Sequence, residues 1–272
     1  MSIAIITIHK GSPVELCKTL NSSYPLLTLP DVCGHIVYDS SEYIADLSLY
    51  CSPKIKYIHA YPGNGIVSAL NCSFLAVREF FPDSTHHIFI HSGDVFDPCF
   101  TSDAIERGCI ITSAEVRDLN FYGYTNVYKD RCEKLLPMFS KIYQGMTVSH
   151  VGTIISNSLF EAYGLYQYQY KFAMDYHFFL WCRLSHASFS SNKLSSTCID
   201  MGGISSIHPY RALWDTTKAR FILFSKLRRE YVHPSFYSLL AYIKRFVFDA
   251  FSLFLPSGLI LNLRFFNKRL IK

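Results

Sequence analysis

Short β-branched runs alternate with helical segments over the first hundred residues, and this alternation constrains the fold more than any other feature of the chain. Ser2 to His9 is an apolar run with the character of a strand buried on both faces. Gly11-Ser12-Pro13 marks a turn, with Ser12 placed to cap and Pro13 to open a helix over Val14 to Ser22. Gly34 to Tyr38 and Ile55 to His59 read as further strands. Ile66 to Phe81 reads as a helix with apolar residues at helical spacing, and His87 to His91 as a fourth strand. Such alternation predicts an α/β fold with a mainly parallel central sheet flanked by helices. Ligands of open sheets of this kind bind beyond the carboxyl ends of the strands. Asp39, the Pro62 to Gly65 loop and Asp94 all fall at such ends.

Beyond this point the signals thin out. Cys109 to Ala114 and Thr153 to Ser156 read as strands, Asp175 to Leu184 as an aromatic-rich helix, and the Tyr-rich stretch from Val116 to Gly145 is assigned no element. Helices are expected over Thr216 to Tyr231 and Pro234 to Leu255, broken at Pro256-Ser257-Gly258, with a final piece to Lys272. The expected organisation is an α/β domain over 1–215, in halves 1–110 and 111–215, followed by a helical tail over 216–272.

Charge separates the two parts. From Lys218 onward eleven Lys/Arg face only Glu230 and Asp249, a net +9, and the rest of the chain carries −4. A mildly acidic body with a basic, apolar tail does not fit a nucleic-acid binder; it fits a tail drawn to anionic lipid headgroups. Lys226, Arg228, Arg229, Lys244, Arg245, Arg264, Lys268 and Arg269 are interleaved with Phe, Leu and Tyr, as in helices that lie in a membrane interface. The alternative is a pair of helices packed on the body with solvated basic faces. The apolar run Phe246 to Leu263 contains Asp249, Pro256 and Asn262, so no spanning helix is expected, and the first residues lack the pattern of a secretory signal. Nine scattered cysteines without a C-x-x-C pair point to free thiols in a reducing cytoplasm rather than to a disulfide framework or zinc site.

Each chemistry-bearing residue has a structural reading beside a functional one. Asp94, in His91-Ser92-Gly93-Asp94, could hold a divalent cation as a hard oxygen ligand, or only close a turn. Asp39 could accept from a nucleobase or ribose, or cap the next segment. Asp175 opens a helix whose dipole keeps a carboxylate ionised, which suits either a general base or a cap. His150 could bind phosphate or position an acceptor, or be a satisfied structural histidine. Gly202, Gly203 and Ser205 could wrap phosphates with main-chain N–H groups or mark an ordinary turn.

Order and spacing add to these readings. IITIHK at 5–10, IVYDSS at 36–41, YPGNGIVSALN at 61–71, FIHSGDVF at 89–96, SHVGTII at 149–155, AMDYHFFL at 173–180 and DMGGISS at 200–206 together make about the first 210 residues resemble glycosyltransferase family 2, most nearly the enterobacterial colanic-acid and O-antigen type. The resemblance implies a GT-A fold with a nucleotide-sugar site at the sheet's carboxyl edge. It implies donor contacts at Thr7, His9, Asp39, Asn64, Gly65, Asn71, Ser92 and Gly93, with Asp94 as the metal-binding acid for Mn2+ or Mg2+. It further implies Asp175 as catalytic base, and His150, Gly202, Gly203 and Ser205 on the acceptor and phosphate side. Ser92 stands where the family's D-x-D motif has its first acid, and Gly63 and Ser68 replace acids of the donor loop.

The implied activity is inverting transfer of a sugar from a nucleoside-diphosphate sugar to a saccharide, polyprenyl-linked or free, in surface-polysaccharide assembly. The implied location is the cytoplasmic face of the plasma membrane, bound peripherally, and self-association is compatible with it. Two alternatives stand: a nucleotidyltransferase, for which His9-Lys10-Gly11-Ser12 is a poor phosphate loop, and a degenerate relative acting as a membrane-bound scaffold.

Overall fold

The computed structural model describes residues 1–60, 65–110, 121–128, 133–135, 142, 145–199, 207–226 and 243. The first half is built as the alternation predicts. Strands β1 (Ile3–His9), β2 (Val32–Asp39), β3 (Ile55–His59) and β4 (His86–His91) run parallel in the order β3-β2-β1-β4. Helix α1 (Pro13–Ser23) opens at Ser12, whose hydroxyl accepts from the Val14 N–H at 3.3 Å, with Pro13 in the first turn where its missing N–H costs nothing. A short 3-10 turn, Tyr24–Thr28, leads to β2, and α2 (Gly65–Phe80) leads to β4.

The first four residues of β1 are apolar because both its faces are covered. Ala4 and Ile6 face a cluster with Leu70, Phe74, Phe89 and Phe179; Ile3 and Ile5 face the opposite cluster with Leu26, Ile88, Ile90 and Phe100. The first cluster is held by stacked rings, Phe74 on Phe160 at 4.5 Å and Phe160 on Phe178 at 4.4 Å between centroids.

The second half widens the sheet. β5 (Val95–Phe96) is followed by α3 (Pro98–Arg107), whose N-cap Asp97 accepts from the Cys99 N–H at 2.9 Å and whose end is Gly108. Then come β6 (Phe121–Tyr128), β7 (Glu133–Leu135), β8 (Ile154–Ser156), α4 (Asn157–Tyr163), α5 (Met174–Leu184), β9 (Phe189–Ile199) and α6 (Pro209–Lys226). The full order is β3-β2-β1-β4-β8-β6-β9-β5, with β7 paired to β6. β8 is antiparallel to both β4 and β6, so the parallel first half is joined to the rest through one short reversed strand.

Several boundaries differ from the sequence expectation. Cys109 and Ile110 form a bend after α3 rather than the start of a strand, and the rest of that expected strand lies outside the described residues. The helix expected from Thr216 begins seven residues earlier, at Pro209, a residue suited to a first helical turn. Residues after 226, apart from 243, lie outside the described residues, and with them most of the expected tail. Among the described residues no helix is long and apolar enough to cross a membrane.

Candidate functional site

Strand register gathers polar side chains at one edge. His9 lies opposite Asp39, Asp39 opposite His59, and Ile8 opposite His91, so the carboxyl ends of all four parallel strands carry ionisable groups. Asp39 is fully buried. Its Oδ1 accepts from the Ser41 N–H at 2.8 Å and from the Ser41 hydroxyl, and its Oδ2 accepts from the Tyr57 hydroxyl. Burial pushes its pKa up, but these hydrogen bonds and nearby His9 outweigh it and hold the carboxyl below its ordinary value. The acid is therefore ionised, with most of its acceptor positions already taken by protein donors.

His9 is buried beside it. Nδ1 is 2.8 Å from the Ser92 hydroxyl, and Nε2 is buried without a hydrogen-bond partner. Burial lowers the imidazole's pKa against the opposing charges of Asp39 and Glu15. An unpaired buried nitrogen at the binding edge is costly unless something else reaches it.

Two expected donor contacts lie inside the protein. Thr7 is buried, with its hydroxyl 2.9 Å from His35 Nε2. Asn71 clamps main chain: its amide donates to the Tyr166 carbonyl at 2.9 Å and its Oδ1 accepts from the Tyr166 N–H at 3.0 Å. Gly65 opens α2 at φ +76°. Asn64, Gly202, Gly203 and Ser205 lie outside the described residues.

The Ser92-Gly93-Asp94 turn is fixed by its main chain. The Ser92 N–H reaches the Ile8 carbonyl at 3.1 Å, and Gly93 takes φ +95°, a left-handed value that favours glycine. Thr19 locks the turn from α1, accepting from the Gly93 N–H at 3.0 Å and donating to the Asp94 carbonyl at 2.7 Å. Asp94 is only 4% exposed. Among the described residues no group of three or more His, Cys, Asp or Glu side chains is arranged to hold a cation. One carboxylate at a strand end does fit an ion of the magnesium type that takes its remaining ligands from substrate phosphates and water.

Asp175 joins this edge through two histidines. Its Oδ2 is 3.1 Å from His150 Nδ1, and His150 Nε2 is 2.9 Å from His91 Nε2. The second carboxylate oxygen accepts from the Tyr176 N–H at 2.8 Å, at the start of α5. Burial alone would raise the Asp175 pKa, but the His150 hydrogen bond and charge, with main-chain N–H groups, bring it below the ordinary carboxylate value. With Asp175 ionised, the His150 Nδ1–H donates to it. His91 is pushed down to about 3 by burial and by His150, against Asp175, and so is neutral; a single hydrogen lies between the two Nε2 atoms. His91 also accepts the Asp94 N–H at its carbonyl, at 3.0 Å, so one residue touches both halves of the site.

His91 was inside a block singled out by the sequence but was assigned no role there. The period of two places His87, Phe89 and His91 on one face of β4, and the rings of Phe89 and His91 both pack against His150, at 5.9 and 4.8 Å. Tyr166, which feels the charge of Asp175 and has a buried hydroxyl without a hydrogen-bond partner, carried no local signal at all.

No family model matches the chain, and no curated protein matches it. Solved structures do. Residues 1–349 of Staphylococcus aureus TarS in complex with UDP superpose with a TM-score of 0.65 at 14% identity, over 95% of this chain and 76% of that one. The same portion in complex with UDP-GlcNAc gives 0.59 at 14% identity over 87% and 69% of the two chains. A longer TarS structure gives 0.59 at 14% identity over 85% of this chain, which spans 41% of that one. The likeness establishes the architecture: a mixed α/β fold with a mostly parallel central sheet flanked by helices, shared with a protein that carries UDP and UDP-GlcNAc in its crystals.

Proposed function

We propose that this protein is a glycosyltransferase that moves a sugar from a nucleoside-diphosphate sugar to a saccharide hydroxyl. One observation carries the reading: a single carboxyl edge holds His9, Asp39 and the Asp94 turn, and the His91–His150 pair joins that edge to an ionised Asp175. The likeness to a protein bound to UDP and UDP-GlcNAc supports the donor class and makes uridine the first nucleoside to try.

The reaction is a single in-line displacement. Asp175 takes the proton of the acceptor hydroxyl as its oxygen bonds to the anomeric carbon. The bond from that carbon to the diphosphate oxygen breaks, its electron pair leaves with the nucleoside diphosphate, and the configuration inverts. His9 and Asp39 face the nucleoside end, with His9 Nε2 the hydrogen-bonding atom still without a partner. Asp94 would hold Mn2+ or Mg2+, which when bound neutralises charge on the diphosphate.

The acceptor is a saccharide in surface-polysaccharide assembly, carried on a polyprenyl lipid. The basic tail, +9 from Lys218 onward, would hold the enzyme at the cytoplasmic face of the membrane near that lipid.

The burial of Asp94, 4% exposed, and the saturation of Asp39 by Ser41 and Tyr57 favour one second reading, a scaffold that has lost catalysis. A binding and hydrolysis screen of uridine- and guanosine-diphosphate sugars with manganese separates the two. The transferase binds and slowly hydrolyses one donor. Asp94→Ala loses that metal-dependent hydrolysis, and Asp175→Asn keeps donor binding while losing transfer by about 100-fold or more. Absence of metal-dependent turnover with every donor favours the scaffold.

A further inference from the structure

We propose that His150, braced by His91, is a positioning residue that holds the Asp175 carboxylate in place to take the acceptor proton; the inference rests on the transferase reading above. Both ring nitrogens of His150 are occupied, Nδ1 by Asp175 at 3.1 Å and Nε2 by His91 at 2.9 Å. Its side chain is 8% exposed against 19% for Asp175, so the acid is the more accessible of the two and the histidine the more enclosed. A histidine so placed is not a ligand for substrate phosphate; it supports the residue that touches substrate.

The carboxylate is gripped from both sides. Oδ1 is held by the Tyr176 N–H at the start of α5 and Oδ2 by His150. Each oxygen keeps a further acceptor position, which leaves room for a substrate hydroxyl. His150 is fixed in turn. It lies in a loop where Gly152, at φ +74°, donates its N–H to the Phe89 carbonyl at 2.9 Å, and a Cβ at Gly152 would come within 2.6 Å of Ser196 and 2.7 Å of Thr197. The end of β4, this loop and the first turn of α5 are therefore tied through one imidazole.

The titratable groups around Asp175 are His150, which contacts it, and His91 and Tyr166, which feel its charge. His91 is neutral, and burial keeps Tyr166 protonated. Among them His150 is the group that hydrogen-bonds the carboxylate, and it offsets a burial that would otherwise favour the protonated acid. Its role is analogous to that of an orienting residue in a catalytic constellation, acting through its neighbour.

The test uses the full chain as wild type, His150→Ala, His150→Asn and His150→Gln. An Asn amide reaches where Nδ1 lies and keeps a donor to Asp175; a Gln amide reaches toward Nε2 and keeps the link to His91 instead. Asp175 is titrated by carboxyl carbon NMR, UDP binding is measured by calorimetry, and the pH dependence of kcat is recorded.

His150→Ala and His150→Gln are expected to raise the Asp175 pKa by about one unit or more, to move the acid limb of the kcat profile to higher pH, and to lower kcat about 100-fold with UDP affinity within about twofold. His150→Asn is expected to restore the titration and most of kcat. The proposal is overturned if Ala, Asn and Gln are equally slow with Asp175 titrating as in wild type, or if UDP affinity falls in step with kcat. Should the Ala variant fail to fold, the Asn and Gln pair decides. Should wild type turn over no nucleotide sugar, the transferase reading fails, and the Asp175 titrations still decide the role of His150.

Discussion

Histidine carries an unusual share of the interior of this protein. His35 and His87 are fully buried and His91 partly so, and burial pushes all three down to about 3. His35 sits 2.9 Å from the Thr7 hydroxyl, and His87 Nδ1 is 2.7 Å from Asn157 Oδ1 among the rings of Phe74, Phe89 and Phe160. Their folded pKa lies below the ordinary 6.5, so between about 3 and 6.5 the unfolded chain binds more protons than the native one. The stability they contribute is fully present above that ordinary value and is lost as pH falls through the window. The slope is on the order of 1 kcal/mol per pH unit for each histidine. Urea unfolding at pH 7.5, 6.5 and 5.5 should therefore show the midpoint steady over the first step and falling over the second; a midpoint that holds to pH 5.5 would contradict neutral burial. At the same scale the sequence marked Asp39 and Asp94 by their places after strands, Asp175 at a helix start, His150 before an apolar run, and His9 only through the family resemblance. It could not show that Asp39 is satisfied by Tyr57, eighteen positions away, because that contact exists only once β2 and β3 are in register.

Asn71 shows how an element can claim a residue that looks available for ligand. It lies on α2, 2% exposed, and both ends of its amide hold the main chain of Tyr166, which packs at the foot of α5 against Phe160 and Phe178. Asn71→Ala leaves a buried N–H and a buried carbonyl without partners, an expected loss of about 2–4 kcal/mol in urea unfolding. UDP affinity of the fraction that remains folded is expected to stay within about twofold. A stable Asn71→Ala protein with weakened UDP binding would return the residue to the donor site. The cap of α1 was legible in sequence, Ser12 with Pro13, since capping needs only neighbouring residues; α3, capped in the same way by Asp97 before Pro98, was assigned no helix from the sequence. α4 was not legible, because seven residues carry too little periodicity, and β9 was not, because Phe189–Ile199 is rich in Ser and lacks an apolar alternation.

For the whole molecule, charge is divided between a body at −4 and a segment at +9 from Lys218 onward. If that segment meets anionic headgroups, the full chain should float with phosphatidylglycerol vesicles at low salt, with binding falling as salt screens it, and a chain ending at Tyr231 should float markedly less. Equal flotation of the two would assign the basic residues to solvated faces. The sequence by itself determined the parallel first half of the sheet, because β-branched runs, turn residues and helix caps are local signals that agree with one another. It also determined that acidic groups fall at the strand ends. Only the tertiary structure decided which of those groups meet. β8 reverses between β4 and β6, the loop before it carries His150 over the end of β4, and α5 brings Asp175 to the same imidazole from 25 residues further along the chain. Such a meeting depends on long-range packing, which no window of neighbouring residues encodes.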